Sequence, residues 1–313
     1  MPDNRNLNAA RRRRNDEFYT RDDIADAELS RYDWAGRSVI CDCDDLHSAF
    51  ARWFSTRFKR IGLERLTQVG RAGLASITTA DGTKTLEVNG DFRSADVAAL
   101  RAASDTVVTN PPWSLFDEHM ALAAGDGRDV LTLGQINAVG YRHVFDLILA
   151  GRLGPGANFN KYLPFDLPDG GERKVKGSCW LTTMPHSGGV EPLKPTRRYD
   201  PADYPEFDDY RAINVNRSKD IPVDYAGAMG VPVSFFKWYD PNLFELLDAA
   251  EWRRDPARTP ARATANNPHV GGRAVFKRIL IRWRAAGASG SQGRGAPFGS
   301  PTATGRTPGR KSS

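Results

Sequence analysis

Asp105-Thr106-Val107-Val108-Thr109-Asn110-Pro111-Pro112-Trp113 is the stretch on which the fold turns. Its β-branched, apolar centre predicts a buried strand ending at Thr109. Two consecutive prolines then end the hydrogen-bond ladder and fix φ, so a stiff turn follows at the strand's C-terminal edge. In an open α/β sheet that edge is where ligands bind. An amide, a rigid pair of prolines and an indole suit a planar group that carries an exocyclic amine. An ordinary polyproline turn would use the same residue types, but the strand ahead of it favours a site. Methyl transfer to an amino nitrogen is one chemistry expected of such a site.

Outward from this stretch, strands and helices alternate. Ile24 to Tyr32 reads as a helix, Ser38 to Cys41 as a buried strand, and Asp42 to Asp45 as an acidic turn after it. Ala49 to Phe58 has helical apolar spacing, Leu66 to Val69 is a weak strand, and Asp81-Gly82 marks a hairpin turn. Asp96 to Ala103 is helical and leads into the strand before Asn110. Ser114 is placed to cap a helix over Leu115 to Ala124, with Asp117 at its third position. Asp129 to Leu133 is the next strand, and Tyr141 to Ala150 the next helix, closed by Gly151. This alternation predicts a parallel sheet. After Gly151 the chain turns rich in Pro, Gly, Asp and Tyr, and Gly151 to Gly156 reads as a linker. Within that part we expect a strand at Val175–Thr182, a helix at Asp240–Trp252 and a final strand at Ala274–Trp283.

Of 313 residues 40% are hydrophobic and 10% aromatic, enough for a core, so disorder throughout is excluded. No apolar run approaches the ~18 residues of a membrane span, and the Arg-rich start has no apolar region behind it. Three irregularly spaced cysteines point to reduced thiols and a cytoplasmic protein. The net charge of +6 resides in two arms: residues 1–14 hold five arginines, and residues 285–313 hold Arg294, Arg306, Arg310 and Lys311 without an acid. The remainder is mildly acidic, so a nucleic-acid partner does not follow from charge alone. Both arms read as disordered. No metal is expected, since Cys41, Cys43 and Cys179 and the scattered histidines lack ligand spacing.

Several blocks then combine. Asn15-Asp16-Glu17-Phe18-Tyr19-Thr20, Gly90-Asp91-Phe92-Arg93-Ser94 and Asn110-Pro111-Pro112-Trp113-Ser114-Leu115-Phe116 together resemble the EcoRI-type adenine-specific DNA methyltransferases. Gln135-Ile136-Asn137-Ala138, Met229 to Val233 and Phe276 to Arg282 extend the similarity over about residues 15–283. The resemblance implies S-adenosylmethionine as methyl donor, the N6 amine of adenine in double-stranded DNA as acceptor, and a seven-stranded Rossmann-like sheet with a target-recognition insertion. In that sheet the last two strands pair, so Val175–Thr182 is expected beside Ala274–Trp283. The implied organisation is a catalytic domain over 15–153, a recognition region over 154–273 that lends strand 175–182 to the sheet, and a final strand at 274–284. A monomer is expected.

The adenine amine is conjugated with its ring, so a site must localise the lone pair and aim it at the methyl group. Asn110 and the Pro111 carbonyl are the candidate acceptors of the amine hydrogens, with Pro112 stiffening the turn and Trp113 as a stacking face. For the donor the resemblance implies Phe18, Tyr19 and Thr20 over its methionine end. It likewise implies Asp91 and Phe92 at its adenine, and the loop of Cys41, Asp42, Asp44 and Asp45 at its ribose and amine. That loop has no glycine, although one is usual where backbone approaches a cofactor; a catalytically silent DNA-binding relative would also tolerate this. The Asn110-to-Trp113 motif would equally serve an amino-methyltransferase of RNA or protein glutamine. For DNA, Arg197, Arg198, Arg217 and Lys219 are candidate phosphate contacts, Asn214 and Asn216 candidate adenine readers, and Trp180 a candidate neighbour of a flipped base.

Overall fold

The computed structural model describes residues 19–70, 72–159, 161–167, 170–187, 193–249 and 268–284. Both arms, the run Asn15 to Phe18 and Trp252 lie outside them. The fold is α/β around a large mixed sheet of ten strands, not seven. Along the chain these are β1 (Tyr19–Thr20), β2 (Ser38–Cys41), β3 (Arg65–Gly70), β4 (Leu74–Thr79), β5 (Gly82–Glu87), β6 (Thr106–Thr109), β7 (Asp129–Gln135), β8 (Gly154–Pro155), β9 (Lys161–Asp166) and β10 (Glu172–Thr182). The helices are α1 (Asp22–Leu29), α2 (Ala49–Arg57), α3 (Ala95–Ala102), α4 (Phe116–Ala123) and α5 (Arg142–Leu149).

In space the strands run β1-β9-β10-β7-β6-β2-β3-β4-β5, with β8 on the side of β10. The neighbours β3, β2, β6 and β7 are parallel, joined by helical crossovers. Every residue of β6 is buried, as its Thr-Val-Val-Thr composition demands of a strand covered on both faces. The hairpin β4–β5 turns at Asp81-Gly82 as the sequence indicated, with Gly82 at φ 133°. At the other edge β10 runs antiparallel to both β7 and β9, and β1 closes the sheet on β9.

A smaller sheet follows in the order β11-β12-β16-β13, from β11 (Ile213–Asn214), β12 (Met229–Pro232), β13 (Phe244–Ala249) and β16 (Arg278–Trp283). A ribbon of β14 (His269–Val270) and β15 (Arg273–Ala274) precedes β16. One hydrophobic cluster spans both sheets, with Phe159 edge-on to Phe236 at 5.7 Å.

Three expectations are corrected. Val175–Thr182 does not pair with the last strand: β10 is held by β7 and β9, and β16 lies between β12 and β13. The partner came from nearer in sequence, because Lys161–Asp166 closes a local hairpin on β10. Asp240–Trp252 is not a helix where described. Phe244–Ala249 has helix-forming composition, but its alternate residues Phe244, Leu246 and Asp248 are buried against β16, so pairing overrides propensity. Ser114 caps nothing: Trp113–Leu115 forms a 3₁₀ turn first, and Leu115 stands at the N-cap of α4. Asp117 instead reaches α5, accepting from the backbone N–H of His143 at 2.8 Å and of Val144 at 3.3 Å.

Candidate active site

Asn110 follows β6 at the C-terminal edge of the parallel strands and is 9% exposed. Its amide is held from two directions. Its Nδ2 donates to Thr20 Oγ1 at 3.3 Å, and its Oδ1 accepts the indole N–H of Trp113 at 3.1 Å. Thr20 is brought there because β1 pairs with β9, opposite Phe165. Phe165 in turn meets Trp113 edge-on at 5.7 Å. The turn after Pro111 is closed by Leu115 N–H donating to the Pro112 carbonyl at 2.9 Å. The Pro111 carbonyl accepts no hydrogen bond among the described residues. Phe116 then packs against Gly134 of β7 so closely that any Cβ there would overlap its ring. The sequence thus fixes the orientation of Asn110 through three segments remote from one another: β1, the turn itself and β9.

The loop after β2 lies beside this site, since Thr109 donates its hydroxyl to Asp44 Oδ2 at 2.7 Å. Asp45 is exposed and accepts the N–H of Leu46 at 2.7 Å. Asp42 has a different task. Its Oδ2 accepts from Arg101 Nε at 2.9 Å and Nη2 at 2.8 Å, and its Oδ1 is 2.9 Å from His119 Nε2, all three side chains being buried. Burial would push the Asp42 carboxyl up, but His119 and Arg101 outweigh it and hold it at about 2. Arg101 also donates to the Phe92 carbonyl at 2.7 Å, and Phe92 meets His119 edge-on at 5.3 Å. The network therefore joins the loop after β2 to the segment around Phe92. Cys41 and Cys43 are buried thiols, driven above their ordinary range first by burial and then by the neighbouring aspartates. Asp42, Cys43 and His119 place ligand-type atoms within 4.8 Å of one another, yet both Asp42 oxygens are already engaged by cationic or N–H groups.

Asp91 clamps Arg93, accepting from its backbone N–H at 2.9 Å, from Nε at 2.9 Å and from Nη2 at 2.7 Å. The Arg93 hydrogen bonds hold the Asp91 carboxyl at about 2. The same guanidinium lies 5.3 Å from the centre of the Phe92 ring. Tyr19, 43% exposed, alternates with Thr20 and so faces away from Asn110. Phe18 lies outside the described residues.

A family model described as "Adenine-specific methyltransferase EcoRI" matches residues 6–76 and 68–284. The chain belongs to this family. It is 34% identical to the Type II methyltransferase M.MpnI of Mycoplasma pneumoniae, over 89% of this chain and 98% of that protein. It is 31% identical to the Type II methyltransferase M.EcoRI of Escherichia coli, over 78% of this chain and 89% of that protein. No solved structure matches. No helix among the described residues is long and apolar enough to cross a membrane.

In this member of the EcoRI-type family the expected DNA contacts fall into two groups. Trp180 is fully buried on β10, edge-on to Phe50 at 5.7 Å, so it is part of the core and not a neighbour of an extruded base. Asn214 is buried as well: its Oδ1 accepts from Arg278 Nε at 3.1 Å and its Nδ2 donates to Asn216 Oδ1 at 3.0 Å, which fixes it as a strut of the smaller sheet. Arg197, Arg198, Asn216, Arg217 and Lys219 are exposed. Arg197 and Arg217 both reach Asp220, at 3.3 and 2.6 Å, while Arg198, its side chain 85% exposed, only approaches Asp224 at 3.8 Å. Arg101 and His119 carry no local signal in the sequence, because they stand on two separate helices, 59 and 77 positions from Asp42.

Proposed function

We propose that this chain transfers a methyl group from S-adenosylmethionine to the N6 amine of an adenine rotated out of double-stranded DNA. The carrying observation is the amide of Asn110, held by Thr20 and Trp113 beside the unpaired Pro111 carbonyl. Asn110 Oδ1, oriented by the bond from Trp113, and the Pro111 carbonyl accept the two amine hydrogens and draw the nitrogen toward a tetrahedral geometry, its lone pair pointing at the incoming methyl. No strong base is needed before transfer, because alignment supplies most of the rate. Trp113, only 9% exposed, serves mainly to hold Asn110 and to wall the base pocket.

The residues at the sheet edge fit the donor by their chemistry. Asp44 and Asp45 offer carboxylates to hydroxyl and ammonium groups, while Phe92 and Asp91 suit a purine ring and its amine. The donor supplies a sulfonium-activated methyl. Asp42 does not touch it but fixes the loop that does. The parallel order β3-β2-β6-β7, with ligand groups at the C-terminal edge, supports a Rossmann-like sheet with a C-terminal recognition insertion. Arg197, Arg198, Arg217 and Lys219 remain the candidate phosphate contacts. The family and the Type II relatives support a place in restriction–modification.

Transfer of labelled methyl to duplex DNA tests this reading, with Asn110→Ala and Asn110→Asp beside the native chain. We expect label on DNA from the native chain, a fraction of it from Asn110→Asp and none from Asn110→Ala. Equal transfer by all three would remove Asn110 from the mechanism, and label on RNA or protein alone would move the acceptor.

A further inference from the structure

Phe276 lies between the ribbon β14–β15 and strand β16, and the residue is 60% exposed. A lone exposed apolar residue is commonplace, but this one stands on a fixed platform. Its carbonyl accepts from Arg278 Nη1 at 2.6 Å. Arg278 is buried, and its Nε is bound to Asn214 of β11 at 3.1 Å, so the backbone at 276 is tied to the interior of the smaller sheet. On the other side, Val275 N–H donates to the Pro268 carbonyl at 2.8 Å. Lys277 places its ammonium 5.6 Å from the centre of the Tyr141 ring. Tyr141 stands at the N-cap of α5, directly after the turn that follows β7. The segment therefore borders the C-terminal edge of the parallel strands, the edge that also carries Asn110. Cationic residues stand on either side of Phe276 in the chain, with Arg273 exposed and Lys277 partly so.

We propose that Phe276 is the wedge that enters the duplex and fills the space left by the extruded adenine. The inference rests on the base-extruding reading given above. Taking a base out of the stack leaves an apolar gap between the neighbouring pairs. An apolar side chain that fills it offsets part of the unstacking, while adjacent cations engage the phosphates. A ring that is exposed on an immobile backbone loses little conformational entropy on insertion.

The test uses the full chain and a duplex in which 2-aminopurine replaces the adenine that the native enzyme methylates. Unstacking of 2-aminopurine raises its fluorescence. The native chain should give that rise, and Phe276→Ala should lose it about tenfold, with single-turnover methylation of the matching duplex that keeps the target adenine falling in parallel, as expected for the loss of one ring–base contact. Binding of S-adenosylmethionine should be unchanged, because the ring is outside the donor site and already in solvent. An abasic site opposite the target should restore Phe276→Ala, since no pair then needs to be broken, and Phe276→Trp should retain activity on paired DNA. Equal extrusion by native and Phe276→Ala chains would overturn the wedge alone, as would a deficit that the abasic partner does not repair. A native chain that methylates no adenine in DNA would overturn the base-extruding reading and the wedge with it.

Discussion

Asp42→Asn preserves the shape of a buried side chain but removes the charge against which Arg101 is buried. The two side chains are 0% and 4% exposed and meet at 2.8 Å, with His119 at 2.9 Å on the other oxygen. Removing one partner of such a pair strands the other, at about 3–5 kcal/mol. An asparagine still accepts one hydrogen bond through its oxygen, so we expect about 3 kcal/mol, a large part of the ~5–15 kcal/mol that stabilises a domain. Urea denaturation at pH 7 reads this directly: with a slope near 3 kcal/mol per molar, the midpoint should fall by about 1 M. Adding Arg101→Met should recover part of the loss, because a matched apolar pair is close to neutral where a broken ion pair is not. The native chain adds a pH signature. The Asp42 carboxyl is held at about 2 in the fold against an ordinary 3.8, so its contribution is complete above 3.8 and is lost as pH falls through about 2. Asp42→Asn should lack that component. A loss below about 1 kcal/mol at pH 7, or a double variant weaker than the sum of the singles, would refute the reasoning.

Two further substitutions probe the framework. Gly156→Ala would set a Cβ 2.5 Å from Glu28 Oε1 and 2.6 Å from Trp180 Cβ, where Glu28 also accepts the N–H groups of Ala157 and Asn158 at 2.8 Å each. Overpacking of this kind costs about 1–3 kcal/mol, visible as a lowered Tm, and an unchanged Tm would mean that the loop yields freely. Trp113→Phe keeps the ring against Phe165 but deletes the bond to Asn110, so kcat should fall while the KM for the methyl donor holds; the reverse pattern would place Trp113 at the donor.

The part of this fold written locally in the sequence was readable. Ser38–Cys41 and Thr106–Thr109 are strands because short β-branched runs bounded by turn residues have few alternatives, and the hairpin at Asp81-Gly82 carried its own turn chemistry. What depended on remote partners was not. Phe244–Ala249 is a strand only because β16 lies beside it. Lys161–Asp166 is a strand because β10 extends past the end of β7, with residues 172–176 left to pair with β9. The candidate site divides the same way. Asn110 to Trp113 was legible from its strand and prolines, whereas the buried role of Asp42 required Arg101 and His119 from two other helices. Trp180 and Asn214 misled because residue type indicates what a side chain can contact, not whether it is exposed.

The most direct test of the central claim is the identity of the modified nucleoside. DNA incubated with the purified chain and S-adenosylmethionine would be digested to nucleosides and resolved by mass spectrometry. N6-methyldeoxyadenosine should appear with the native chain and be absent from the Asn110→Ala sample. A methylated cytosine in its place, or a methylated adenine that persists without Asn110, would contradict the claim.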